Sequence, residues 1–334
     1  MYKKINRTNL ARSIFIALML VIFSQALLWA TSRADWSIEQ VSECSTEGAC
    51  WSYISVWWNR FIYGNYPSDM LWRPQLVVSY MLLSSAIAVG LRQYLTYKSA
   101  IAVALILWII SIVFLYGGVF GLEKVHFSVW SGSLLTLVIA FTAMTMSMLI
   151  GIPLAFARLS KIPTIRIIAQ LYIEFWRAVP LVMVLFVAVS LIPLFLPYGV
   201  EPERLVSVLI AFSLYYSAYM AESIRSGLQT IPKGQAEAAT ALGITKWRTR
   251  DLVLIPQAIT LSLPSIVNLL IAILKDTTLV LIIGMFDLLG LVQQSLHDPM
   301  WGKFSLEGYI FVAAIMWGLC FSLSRVSVLY EHKN

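Results

Sequence analysis

Apolar residues in this chain gather into long stretches separated by short polar ones. Stretches near the roughly 20 residues a helix needs to cross a hydrocarbon core fall at 13–30, 75–94, 99–121, 129–156, 167–196, 204–222 and 306–330. Each predicts a membrane-spanning helix, because a chain inside lipid must satisfy its backbone polar groups internally. The stretch 257–294 is harder to count, since it is long enough for one crossing or two and KDTT interrupts it at 275–278. The pattern therefore predicts an all-α integral membrane protein.

The basic residues settle the count, because short loops rich in Lys and Arg stay in the cytoplasm. One net crossing at 257–294, broken at KDTT, gives about eight transmembrane helices with both termini cytoplasmic. Of the 24 Lys and Arg residues, only Arg33, Arg60, Arg73, Lys124, Arg204 and Lys303 then fall outside, and Arg177 and Lys275 lie within the membrane. A double crossing would move Arg325 and Lys333 outside and weaken that bias. Composition agrees, with 59% hydrophobic and 12% charged residues. The net charge of +7 is this inside bias and not a nucleic-acid patch, so no nucleic-acid partner is expected. The first apolar run exceeds the core of a signal peptide, about 7 to 15 residues, and is expected to be retained.

Residues 31–74 form the one long outside loop, with Cys44 and Cys50 within it. On the oxidising side of a bacterial inner membrane two cysteines at this spacing can close a small disulfide loop; the alternative is two free thiols. After Cys50, Trp51, Ile54, Trp58, Phe61 and Ile62 share one helical face by three-and-four spacing. That face predicts a helix lying on the outer membrane surface, where aromatic rings are favoured. Cys320, inside a span, is expected only to pack.

No phosphate-binding loop of the form G-x-x-x-x-G-K-[ST] occurs, His126, His297 and His332 lack metal-ligand spacing, and no nucleophile elbow is present. No catalytic residues, bound cofactor or metal of its own are therefore expected, the alternative being an intramembrane enzyme assembled from distant residues.

The segment 223–256 is the longest polar interruption after the amino-terminal third, and the inside bias places it in the cytoplasm. Pro232 suits a helix start, QAEAATAL supplies strong helix formers, and Gly243 permits a left-handed end. Thr245 can cap a second helix through KWRTRDLVL to Pro256. Ala236, Ala238, Ala239 and Ala241 stand where a surface helix normally carries long side chains. Another backbone can approach closely there, although an ordinary cytoplasmic helical hairpin would read the same way.

EAATALG at 237–243 followed by VLIP at 253–256 resembles the EAA loop of ABC importer permeases. Around it, AYMAESIRSGLQTIPKGQAEAATALG, IPQAI and LLIAILKDTTLVLIIG are similar to the polar amino-acid branch of that family, over about residues 128–330. The added amino-terminal spans and the tail IMWGLCFSLSRVSVLYE resemble the longer permease of general L-amino-acid importers. The resemblance implies that five helices form a type I permease core at 125–334, carrying the coupling loop 223–256, preceded by an extension at 1–124 with about three spans and the loop 31–74. It implies that Gly234, Glu237, Ala238, Ala239, Gly243 and Pro256 couple to a separate ATPase dimer, which would hold ATP and Mg. A second, related permease, forming a heterodimer with a homodimer as the alternative, and a periplasmic amino-acid-binding protein are the other partners it implies. Arg177-Ala178-Val179-Pro180 and Arg225-Ser226-Gly227 depart from the branch's common R-G-T-P and R-G-G, which leaves the amino acid carried open.

An ion-gradient-driven secondary amino-acid transporter is the rival reading, since such carriers also use interrupted helices. The cytoplasmic helix discriminates, because a gradient-driven carrier needs no ATPase-docking element. For the path itself, charges inside spans are costly and usually functional. Glu174 and Arg177, three residues apart and so neighbours on a helix, are candidates, together with Lys275, Asp276, Thr277 and Thr278 at the break. The bland alternative pairs Glu174 with Arg177 near the inner surface and lets Lys275 snorkel to a headgroup.

Overall fold

The computed structural model describes residues 2–36, 44, 47–80, 97–197 and 202–331, with side-chain detail from residue 11 to 325. In chain order the helices used below are α1 (Tyr2–Ala30), α2 (Ser52–Tyr63), α3 (Tyr97–Tyr116), α4 (Gly132–Arg158), α5 (Pro163–Ala178), α6 (Leu181–Phe186), α7 (Arg204–Thr230), α8 (Lys233–Ala241), α9 (Lys246–Thr249), α10 (Ile255–Asp276), α11 (Leu288–Ser295) and α12 (Ser305–Glu331). Among the described residues, six helices are long and apolar enough to cross a membrane: Ala11–Ala30, Tyr97–Tyr116, Gly132–Arg158, Arg204–Thr230, Lys246–Ile283 and Ser305–Arg325. The expected span 75–94 lies largely outside the described residues.

The expected span 167–196 is bent. α5 and the segment Leu181–Phe195, which begins with α6, meet at 100° and count as at most one further crossing. The cause is local: Val179 precedes a proline and is held extended (φ −92°, ψ 131°), and Pro180 itself sits at φ −62°, ψ 137°. A residue before proline is kept out of the helical region by the pyrrolidine ring.

The stretch around KDTT also differs from expectation. α9, a π-turn at Arg250–Leu254, α10 and a tight 3-10 segment at Thr277–Ile283 join into one helix of 38 residues, Lys246–Ile283. KDTT therefore tightens the helix without interrupting it, and the helix expected to end at Pro256 runs on past it. Pro256 lies in the first turn of α10, just after the π-turn. The widened turn accommodates the ring and the missing N–H, which a regular helix interior would not.

The described residues pack as two compact units, Met1–Asn59 with Val292–Ala314, and Arg60–Leu291 with Ile315–Asn334. In the second, α4 packs most extensively against α7, and α10 packs against the same α7. Without a hydrophobic driving force between helices in lipid, close approach through small residues takes its place. Ser147 and Ala155 of α4 and Ser217, Ala218 and Ala221 of α7 are buried at these crossings. Gly227 shows how tight the α7–α10 crossing is, because a Cβ there would fall 2.5 Å from the Ala258 carbonyl oxygen. α3 is fixed to α4 by the Trp108 indole N–H, which donates to Thr142 Oγ1 at 2.7 Å.

In the first unit, side chains from Ile14 to Phe23 on α1 are largely exposed, as expected of a helix meeting lipid. Asp35 N donates to Ala49 O at 2.8 Å, Trp51 N returns to Asp35 O at 2.8 Å, and the Trp51 indole N–H caps Ala30 O at 2.8 Å. Cys44 and Cys50 are joined by a disulfide with Cα atoms 5.8 Å apart, and Cys50 N donates to the buried carboxylate of Glu307 at 3.0 Å. Tyr53 hydrogen-bonds Ser295 and lies against the rings of Trp301 and Phe304, at 5.7 and 6.4 Å between centroids. Burial raises its phenol above the ordinary tyrosine value, so it stays neutral. The face of α2 expected on the membrane surface is instead divided: Ile54 and Phe61 are buried within the protein, while Trp58 is exposed on one side and edge-on to Phe311. Three-and-four spacing marks an apolar face but does not say whether protein or lipid covers it.

Candidate functional site

Two places carry the chemistry that the sequence singles out. The first is the inner face of α7. Asp276, at the end of α10, accepts a hydrogen bond from the Tyr216 hydroxyl. The Tyr215 and Tyr219 hydroxyls are 3.1 Å apart, and the rings of Tyr215, Tyr216 and Tyr219 lie within 5.1 to 6.2 Å of one another. The guanidinium of Arg177 stands 5.6 Å from the centre of the Tyr219 ring, a cation–π contact that partly replaces lost hydration. One turn further, Glu222 takes a forked hydrogen bond from Arg225, with Nε 3.1 and 3.0 Å from its two oxygens.

These contacts make a strip of three phenols, two carboxylates and two guanidinium groups along a helix otherwise dominated by small and apolar residues. Phenol hydroxyls can donate or accept, and Asp276 and Arg177 offer opposite charges. A zwitterion could trade partners along such a strip without being left unpaired, which is the costly outcome in a dry path.

The remaining candidates separate. Glu174 does not pair with Arg177: it accepts from Gln170 at 2.8 Å and from Arg158 at 3.4 Å, which ties α5 to the end of α4. Thr277 and Thr278 spend their hydroxyl protons on their own helix, at Leu274 O (2.8 Å) and Lys275 O (2.9 Å). Lys275 is exposed. The three tyrosines and Glu222 escaped the sequence reading, which took its candidates from the pair Glu174 and Arg177 and from KDTT at 275–278. Their signal is YYSAYMAE at 215–222, where positions 215, 219 and 222 follow helical three-and-four spacing.

The second place is the polar segment after α7. α8 begins after Pro232, and its end closes on itself: Leu242 N donates to Ala238 O at 3.0 Å and Ile244 N to Ala239 O at 3.0 Å. Gly243 makes this possible by adopting φ +71°, with open space where a Cβ would be. Thr245 then caps α9, its side chain accepting from Arg248 N at 3.5 Å. Ala239 is buried under the helix, whereas Gly234, Glu237 and Ala238 are exposed. Leu242, Trp247 and Leu252 are 79%, 75% and 70% exposed. The segment thus combines a small-residue helix with three largely exposed apolar side chains.

A core of long apolar helices, a strip of polar and charged side chains along one of them and an exposed small-residue helix after it fit a membrane transport component. Residues 147–333 match the family described as binding-protein-dependent transport system inner membrane component. The chain belongs to that family. It is similar to the inner membrane amino-acid ABC transporter permease protein YhdY of Escherichia coli, 41% identical over 95% of this chain and 87% of that one. It is also similar to the glutamate/glutamine/aspartate/asparagine transport system permease protein BztC of Rhodobacter capsulatus, 32% identical over 97% and 90% of the two chains. Among solved structures, an amino acid ABC transporter crystallised with histidines is 33% identical, with a TM-score of 0.52 over 60% of this chain and 90% of that chain. The chain is thus an ABC permease, and the gradient-driven reading finds no support.

Proposed function

We propose that this chain is one permease half of an ATP-driven importer in the bacterial inner membrane, carrying polar L-amino acids delivered by a periplasmic binding protein. The observation that carries the reading is the docking element: α8, ended by a left-handed glycine and bordered by Leu242, Trp247 and Leu252, has the size and bareness of a plug for a cleft on another protein. An ATPase dimer holding ATP and Mg is the partner this element fits, because the chain contains no phosphate loop. Gly234, Glu237, Ala238, Ala239, Gly243 and Pro256 form or orient the plug. The amino-acid selectivity of the relatives suits the phenol strip, in which Asp276 faces the substrate ammonium and Arg177 its carboxylate.

The distribution of Lys and Arg supports cytoplasmic termini and a cytoplasmic docking element, and with them a Cys44–Cys50 disulfide in the oxidising periplasm. A second, shorter permease completes the path as a heterodimer. Purification of the tagged chain from mild detergent should bring down three further proteins: an ATPase, a related permease, and, with amino acid present, a soluble binding protein. Recovery of the chain only as a homodimer would remove the heterodimer, and recovery without any ATPase would remove the importer.

A further inference from the structure

The π-turn at Arg250–Leu254 sits between the docking element and the long spanning helix α10, so movement passed from the docking element to α10 goes through it. Such one-turn widenings concentrate at functional positions. Here the turn is held from two sides. Arg250 lies between the rings of Phe156, at 5.4 Å, and Trp247, at 5.1 Å, which fastens it to the end of α4. Asp251, the next residue, is held by α3: Lys98 Nζ is 2.6 Å from one carboxylate oxygen and the Tyr97 hydroxyl donates to the other at 3.2 Å. Tyr97 and Ile101 also pack against the cluster that contains Ile152, Ile224 and Ile255.

α3 precedes the family-matched residues 147–333. We infer that the start of α3 is a brace for the coupling segment, in which Tyr97 and Lys98 fix Asp251 and so set how tightly ATP hydrolysis is tied to transport. Tyr97, Lys98 and Asp251 are positioning residues; they touch neither substrate nor nucleotide. Lys98 and Asp251 are 60% and 39% exposed, so the pair does not hold the fold together. Its effect lies in the angle at which one turn of helix is presented. A carboxylate gripped at both oxygens by adjacent residues of one helix cannot swing freely, whereas a released one can.

The inference rests on the importer reading, and the experiment separates the two. The full complex is reconstituted in vesicles with its binding protein and a mixture of radiolabelled polar L-amino acids, and amino acid imported per ATP hydrolysed is compared among variants. Lys98→Glu should lower this ratio about two- to fivefold, the range an exposed ion pair supports, with the ATPase still present in the purified complex. Asp251→Lys should do the same. The double variant Lys98→Glu with Asp251→Lys should return most of the loss, because the pair is restored with its charges exchanged. Single variants that match the parent ratio, or a double variant no better than the worse single one, overturn the brace while leaving the importer intact. Loss of the ATPase from the single variants also overturns it, since that would make these residues docking contacts. A parent complex that imports nothing with ATP overturns the importer reading and the brace with it.

Discussion

A Gly243→Asp variant should keep its membrane fold and lose ATP-driven transport by about five- to thirtyfold, the factor that corresponds to the roughly 1–2 kcal/mol cost of a left-handed non-glycine residue. The reason is conformational and not steric. Gly243 sits at φ +71° with no atom near the place of a Cβ, so a side chain fits the space but not the backbone. Aspartate adds a negative charge at the carboxyl end of α8, where the helix dipole opposes it. The element lies outside the packed helices: Leu242, Gly243 and Trp247 are exposed, so the damage stays local. Gly243→Asn is the control, because asparagine tolerates the left-handed region better than most residues and adds no charge. It should retain more ATPase and more transport than the aspartate variant. Equal transport by Gly243→Asp and the parent would show that α8 is not the coupling element.

The second large effect is expected at Asp276. Asp276→Asn keeps the shape and the hydrogen bond from Tyr216 but removes the charge that an amino-acid ammonium would meet. Transport should fall about tenfold or more, since a hydrogen bond to a charged group is worth roughly 1.5–3 kcal/mol. ATPase docking should be unchanged. Arg177→Gln should act on the carboxylate end of the substrate, weakening transport while leaving Glu174 with Arg158 and Gln170. Tyr216→Phe separates positioning from charge: it frees Asp276 without neutralising it, so its loss should be smaller than that of Asp276→Asn. The measurement is uptake at several substrate concentrations in vesicles containing equal amounts of assembled complex. If both Asp276→Asn and Arg177→Gln transport every amino acid at the parent rate, the strip along α7 is not the path.

Long apolar stretches reveal spanning helices because lipid leaves the backbone no other choice, and the spans on α1, α3, α4, α7 and α12 follow from that constraint. The EAA-like segment was legible for a different reason: proline, alanines and glycine each force a local geometry at its own position. What escaped depended on context. The bend at Val179–Pro180 was hidden inside a stretch whose hydropathy is uniform, although the proline itself was visible. The passage through Pro256 depended on a π-turn that no residue pattern announces. In the candidate path, charge drew attention to Glu174, yet its partner proved to be Arg158 from another helix. Tyr215, Tyr216 and Tyr219 drew none, because a tyrosine in a membrane helix reads equally well as packing. Only the approach of α10 and α5 to α7 turns those phenols into partners for Asp276 and Arg177.

Uptake by sealed vesicles containing the purified complex tests the central claim most directly. With the binding protein outside and ATP trapped inside, labelled polar L-amino acids should accumulate against their gradient. Accumulation should stop when ATP is replaced by a non-hydrolysable analogue, and should be indifferent to collapse of the proton and sodium gradients. Concentrative uptake by this chain alone, without ATP and abolished by collapsing an ion gradient, would contradict the account.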